Sequence, residues 1–217
     1  MENQLPLQVR SEEIGKRLAL LYPGTAKSLC ALRFGNEFEL LAATILSAQC
    51  TDERVNTVTE VLFSKYHTPA ELGAADIEDV EQIIRSTGFY REKAKNLIKM
   101  SSVVAKRYQG TVPNKMEELV SLPGVGRKTA NVVLSVGFML PGLPVDTHVK
   151  RLSKRLGLSA SDDPVRIEQE LNKLISEDER GSFSLRLILH GRKVCQARKP
   201  RCEACELADI CPSSLPQ

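Results

Sequence analysis

Lys128 closes the segment Leu122-Pro123-Gly124-Val125-Gly126-Arg127-Lys128, and its amine is the side chain best suited to nucleophilic work. A lysine in the first turn of a helix meets an unfavourable dipole, and partial burial would disfavour its ammonium further, leaving a neutral amine. Such amines attack carbonyl-like carbons and form Schiff bases, and an aldehyde-bearing sugar is a target of that kind. Asp146, 18 residues further on, could accept protons and stabilise a developing sugar cation. Each residue also has a plainer reading: Lys128 as a phosphate contact, Asp146 as a helix cap. The glycines at 124 and 126 let the backbone take positive φ and approach a partner closely, and Pro123 fixes the approach. Amides at the head of the following helix, read as Thr129 to Met139, would point at an anion. The segment is therefore either a phosphate seat or a glycine turn between packed helices.

A second constellation is Cys195, Cys202, Cys205 and Cys211, with six, two and five residues between them. Four thiolates in so short a span can close round one centre. Reduced core cysteines suit a polar segment poorly, and a four-cysteine zinc site normally uses two short knuckles, of which only Cys202 and Cys205 form one. An iron–sulfur cluster is favoured, with a mainly structural role in a tail that has few apolar residues. Disulfides are not needed by a chain of this size, and Cys30 and Cys50 read as ordinary buried thiols. No acidic residue interrupts the run from His190 to Cys202, which carries Arg192, Lys193, Arg198, Lys199 and Arg201. With Lys150, Arg151, Lys154 and Arg155 on another helix, these make a surface for phosphates, with affinity that falls as salt rises.

The elements that must position these groups read as helices. Apolar residues recur at helical spacing nearly everywhere and no period-2 strand pattern emerges, so the fold class is all-α. A first helix starts near Ser11 and ends before Pro23-Gly24, and another spans Glu37 to Ala48. Further helices carry Val55 to Tyr66, a capped start at Thr68-Pro69-Ala70-Glu71, Ile77 to Ile84, Tyr90 to Tyr108 and Met116 to Leu122. After the proline-rich Leu140 to Pro144, Asp146 caps a helix to about Leu156, Asp163-Pro164 opens the next, and a last one runs to about His190. The chain of 217 residues, net charge +3 and pI about 8.5 holds one good core or two modest ones. Met1 to Arg10 has no long apolar run and nothing nears the ~20 residues of a membrane helix, so no membrane association is expected of a non-secreted protein.

Four stretches together, Leu122 to Lys128, Val145-Asp146-Thr147-His148, Leu46-Ser47-Ala48-Gln49 and the terminal cysteines, resemble the endonuclease III family of DNA repair glycosylases. The resemblance runs in order from about Ser11 to Cys211. It implies the helix-hairpin-helix DNA glycosylase fold, two helical lobes with a DNA cleft between them. Residues 30–140 would be the helical-barrel lobe containing the hairpin, and 1–29 plus 141–217 the lobe with a C-terminal [4Fe–4S] cluster held by the four cysteines. Lys128 matches the Schiff-base nucleophile and Asp146 the catalytic aspartate. Gly124, Gly126 and Arg127 fall on the hairpin that holds DNA phosphate, and Arg198 and Lys199 on the cluster loop as further DNA contacts. Gln49 matches the residue that enters the gap left by a flipped nucleotide. Thr87 and Phe89 fall on the loop that helps fill it, Phe89 where the family usually has an aliphatic residue.

The activity so implied is that of a bifunctional base-excision enzyme, which removes oxidised or ring-saturated pyrimidines and cleaves the abasic site by β-elimination. Its partner would be double-stranded DNA containing damaged bases or abasic sites. A monomer is expected, cytoplasmic and nucleoid-associated in a prokaryote. Two alternatives are an adenine-mismatch glycosylase and a non-catalytic DNA-binding module. The first lacks the hairpin lysine and carries a glutamate near Ala43, and the second would use the hairpin only as a clamp.

Overall fold

A computed structural model describes residues 5–214, so Met1 to Gln4 of the N-terminal stretch lie outside it. The chain divides into two units: Cys30–Phe138 is one, and the segments before and after it form the other. Among the described residues all regular structure is helical, and no helix is long and apolar enough to cross a membrane.

The discontinuous unit opens with α1 (Leu7–Leu21) and the short α2 (Ala26–Leu29). The start of α1 lies four residues ahead of Ser11, where the sequence suggests it. Pro6 explains the difference: its fixed φ of −51° sets up the first turn, and its carbonyl accepts from Arg10 N at 2.9 Å. The extra turn is not wholly exposed, for Arg10 is buried and donates to Gly157 O at 2.8 Å.

The inserted unit is built on α3 (Glu37–Leu46), α4 (Asp52–Lys65), α5 (Pro69–Gly73), α6 (Ile77–Ile84), α7 (Tyr90–Arg107), α8 (Met116–Val120) and α9 (Arg127–Val132). Polar caps fix where most of them begin. Asn36 accepts from Glu39 N, Thr51 from Arg54 N, Thr68 from Glu71 N and Asp76 from Glu78 N. Glu71 reaches back to His67 N at 2.6 Å, one residue earlier than in a standard capping box. Every residue of α3 from Leu40 to Leu46 is buried, so this helix is the unit's hydrophobic axis. α9 does not continue to Met139 as an α-helix. From Val133 to Gly137 it widens into a π-helix, with Phe138 N bonded to Val133 O at 3.1 Å. Val133, Leu134, Ser135 and Val136 of this turn are all buried.

After Met139 the first unit resumes with α10 (Thr147–Arg155), α11 (Pro164–Leu174) and α12 (Arg180–Lys193), which runs most of a turn past His190. Its core joins Ile14 and Leu18 of α1 to Val149, Leu152, Leu171, Phe183 and Leu187. Arg186 of α12 is buried and donates to Tyr22 O and Gly24 O, which holds the turn behind α1 in place.

Within the inserted unit, α5 and α7 cross where only hydrogen fits. A Cβ at Gly73 would lie 2.7 Å from Ser102 N and 2.8 Å from its Cα. Both are helical backbone and cannot yield as a side chain end does. Gly73→Ala should therefore lower the stability to urea unfolding by roughly 1–3 kcal/mol, the usual cost of overpacking; an unchanged midpoint would show that the helices slide apart freely.

Candidate active site and cysteine loop

The hairpin is anchored by two buried apolar side chains, Leu122 and Val125, with Val125 N bonded to Leu122 O at 3.1 Å. Gly124 between them has φ +75°, and a Cβ there would fall 2.8 Å from Cβ of Asn96. Glycine is required on both counts. Gly126 differs from the sequence-based expectation: its φ is −90° and a Cβ there would meet nothing. It stands at the N-cap of α9, where it supplies no side-chain bond. Arg127 and Lys128 are exposed. The partial burial of Lys128 expected from sequence is therefore not seen.

Asp146 belongs to the other unit. The buried strip Leu143-Pro144-Val145 delivers it, tied down by a hydrogen bond from Ser184 Oγ to Pro144 O. Asp146 caps α10, its Oδ1 accepting from His148 N and Val149 N at 2.8 Å each. Its Oδ2 lies 3.6 Å from His148 Nδ1, and the side chain is 15% exposed. One carboxylate oxygen thus serves the helix while the other is not needed for the cap.

Gln49 follows the end of α3 and has φ 54°; it is exposed. Gly88 and Phe89 have φ 69° and 49°, and Phe89 is 69% exposed at the head of α7. Thr87 is not available as a direct contact. It is 2% exposed, and its hydroxyl donates to Ile84 O at 2.9 Å, closing a 3₁₀ turn that supports Phe89. Lys93, which the sequence reading passes over, holds both segments through its Nζ. It donates at 2.8 Å to Leu46 O and to Thr87 O. Burial lowers its pKa. The signal was present: Lys93 lies on the stripe of Leu97, Met100 and Val104, an odd place for a cation.

The four terminal cysteines line one cavity of about 310 Å³ with His190 and Arg155. Among the described residues no three His, Cys, Asp or Glu groups close round a single ion. The sulfurs instead rim a space fit for a polynuclear centre. Burial pushes the thiols of Cys205 and Cys211 up, and the neighbouring cysteines push them further. Thiolates crowded this way need a cationic centre among them, which an iron–sulfur cluster supplies. Donors already surround the rim: Arg155 Nη1 lies 3.3 Å from Cys195 Sγ, and His190 Nε2 lies 3.4 Å from Cys205 Sγ. Tyr22 Oη sits 3.3 Å from the other ring nitrogen of His190.

The basic residues of α10, expected from sequence to contribute to a phosphate surface, also have partners within their own unit. Arg151 donates to Gly191 O and Cys195 O, and Arg155 to Gln196 O and Ala197 O. Lys150 and Lys154 pair with Asp162 at 3.2 and 3.3 Å. The two arginines thus hold the unit's own chain, while the two lysines make exposed ion pairs. Arg198 and Lys199 are exposed on the loop so braced. Cys30 and Cys50 are half-buried rather than buried.

Residues 42–177 match the family model of the helix-hairpin-helix GPD superfamily of base excision DNA repair proteins. Residues 195–211 match the iron-sulfur binding domain of endonuclease III. The chain is 52% identical to an endonuclease III of Synechocystis over 94% of its length and 93% of that protein. It is 48% identical to an endonuclease III of Bacillus subtilis over 84% of each. A solved structure of a non-covalent endonuclease III–DNA complex superposes with a TM-score of 0.88 at 43% identity, over 99% of this chain and 97% of that one. A trapped endonuclease III–DNA covalent intermediate gives the same TM-score and identity, over 99% and 98%. The chain belongs to the endonuclease III family. It is accordingly a DNA glycosylase with abasic-site lyase activity, carrying a [4Fe–4S] cluster.

Removing Arg155 should expose how much the loop leans on it. Hydrogen bonds from a charged donor are worth about 1.5–3 kcal/mol each. Arg155→Met should speed loss of the cluster's visible absorption under chelator by about ten-fold or more, with far-UV dichroism unchanged. Identical bleaching curves would mean that the cysteines need no brace.

Proposed function

We propose that Lys128 is the nucleophile and Asp146 the acid–base partner of a base-excision reaction on duplex DNA containing oxidised or ring-saturated pyrimidines. The Lys128 amine attacks C1′ of the damaged nucleotide, and the C1′–N bond breaks as the base departs with a proton. The C1′–O4′ bond then opens, O4′ taking up a proton, to leave an imine between C1′ and Lys128 Nζ; the imine acidifies C2′, and loss of that proton drives β-elimination and expels the 3′ phosphate. Asp146 takes up the amine proton and steadies the positive charge that develops on the sugar. Cys195, Cys202, Cys205 and Cys211 hold the cluster, whose contribution is to keep the loop of Arg198 and Lys199 in shape.

The observation that carries this reading is the exposed lysine at the head of α9, directly behind the glycine hairpin. Gly124, Gly126 and Arg127 seat a DNA phosphate there, while Arg198 and Lys199 meet the backbone elsewhere. Gln49 and Phe89 enter the duplex as the nucleotide leaves it. The enzyme acts as a monomer, in the cytoplasm of a prokaryote and in company with its nucleoid.

Borohydride trapping on an abasic-site duplex tests the nucleophile. The wild-type chain should give a covalent adduct and Lys128→Ala none; an undiminished adduct from that variant would assign the imine to another amine. Asp146→Asn keeps a good cap, so stability should stay within a few tenths of a kcal/mol of wild type. Its excision rate should fall by roughly 10²–10⁴, measured in a single turnover on a thymine-glycol duplex. Replacing Arg198 and Lys199 with Gln should weaken binding to damaged and undamaged duplexes alike. It should also flatten the slope of log K against log salt by about 1.8, or ~0.9 for each lost phosphate contact. Loss confined to one lesion would show instead that the loop reads damage.

A further inference from the structure

Gln49 and Phe89 share a backbone state that few side chains accept. Both are non-glycine residues in the left-handed region, at φ 54° and 49°. That state costs roughly 1–2 kcal/mol per residue and persists only where the surroundings over-determine it. Neither residue is fixed by burying its own side chain, because both are exposed. What fixes them lies beneath.

Leu46 ends α3 three residues before Gln49, and its carbonyl is one of the helix's last, without an acceptor role inside the helix. Thr87 stands two residues before Phe89. Lys93, 5% exposed, reaches both carbonyls with one ammonium at 2.8 Å each. A cation at a helix C-terminus is favoured by the dipole, and two charge-assisted bonds in a buried site are strong and directional. Lys93 itself sits one turn into α7, the helix that begins right after Phe89. The three segments therefore meet at one nitrogen, and the two strained tips cannot move apart unless it lets go.

We propose that Lys93 is a positioning residue for duplex opening: by clamping the carbonyls of Leu46 and Thr87 it holds Gln49 and Phe89 as a two-pronged wedge, and it takes no part in the sugar chemistry. The proposal rests on the reading above that Gln49 and Phe89 enter the DNA.

Two substrates separate opening from chemistry. Excision from a thymine-glycol duplex requires a base to be unstacked, whereas imine trapping on a preformed abasic site does not. Lys93→Met, of similar length without donors, should slow single-turnover excision roughly ten- to hundred-fold, the equivalent of about one charged hydrogen bond. It should leave the trapping rate on the abasic duplex within about three-fold of wild type. With 2-aminopurine opposite the lesion, the fluorescence rise that reports unstacking should slow by the same factor as excision. The double variant Lys93→Met, Gln49→Ala should be hardly slower than the worse single variant, because both remove the same wedge. Equal losses on the two substrates would mean a merely structural lysine and would overturn the proposal, as would unaltered excision. If Gln49→Ala and Phe89→Ala both excise at the wild-type rate, the wedge reading itself fails and the proposal with it. If they are slow while Lys93→Met is not, only the assignment to Lys93 falls. Lys93→Arg, which keeps the charge but misplaces the donors, is held to the same comparison and serves if the methionine variant does not fold.

Discussion

The tail beyond α12 has to be held without a hydrophobic core of its own. Leu207 is its one fully buried apolar side chain, and burying it returns about 1.5–3 kcal/mol. Ordering the backbone costs roughly 1–2 kcal/mol for every residue. Directional bonds have to make up the difference. Arg151 and Arg155 grip the carbonyls around Cys195, Arg17 of α1 grips Asp209 and the carbonyl of Glu206, and four cysteines enclose the cluster. Much of the basic charge that makes this unit look like a DNA surface is spent internally. Arg198 and Lys199 stand exposed on the loop that these contacts brace.

The inserted unit solves the opposite problem. Its hydrophobic axis, α3, is amply buried, and side-chain caps start the helices around it. Stability is not scarce there, so the fold can carry local strain. It does so at the tips of loops: the left-handed Gln49 and Phe89 at one place, and the left-handed Gly124 packed on Asn96 at another. Those three positions stand in the segments assigned to DNA, whereas the left-handed Gln109 ends the turn behind α7 and has no such assignment. The strain is held by buried partners, Lys93 beneath the first pair, Leu122 and Val125 beneath the hairpin.

Helices were legible because their apolar residues repeat at helical spacing and their caps are local in sequence; Asp146, Thr68 and Asp163 cap where their residue types suggest. The four cysteines were legible for the same reason, being close together along the chain. What escaped depends on distant partners or on solvent. Lys128 was expected to be partly buried, but its surroundings are set by tertiary structure that spacing does not report. Arg151 and Arg155 have the look of a solvated helix face, and only the fold shows that the loop of Cys195 lies over it. Thr87 sits in a segment that resembles a contact loop, yet its own hydroxyl turns inward. The π-helix after α9 was hidden because β-branched valines lower helix propensity without saying how the backbone relaxes. Lys93 shows the converse, a visible oddity on an apolar stripe whose meaning required the two carbonyls.

The connection between α1 and the tail bears on how the protein is made. Cys30–Phe138 is one continuous stretch, so it can fold as soon as it has left the ribosome, in keeping with the habit of domains to fold as units during synthesis. Ile14, Leu18 and Arg17 were made earlier but must wait, because their partners Val149, Phe183, Leu207 and Asp209 come later. At elongation speeds of about 5–20 residues per second the interval between Phe138 and Cys211 is roughly 4–15 s. During it the apolar face of α1 has nothing of its own chain to cover it. The older half of that core is thus the last to be finished.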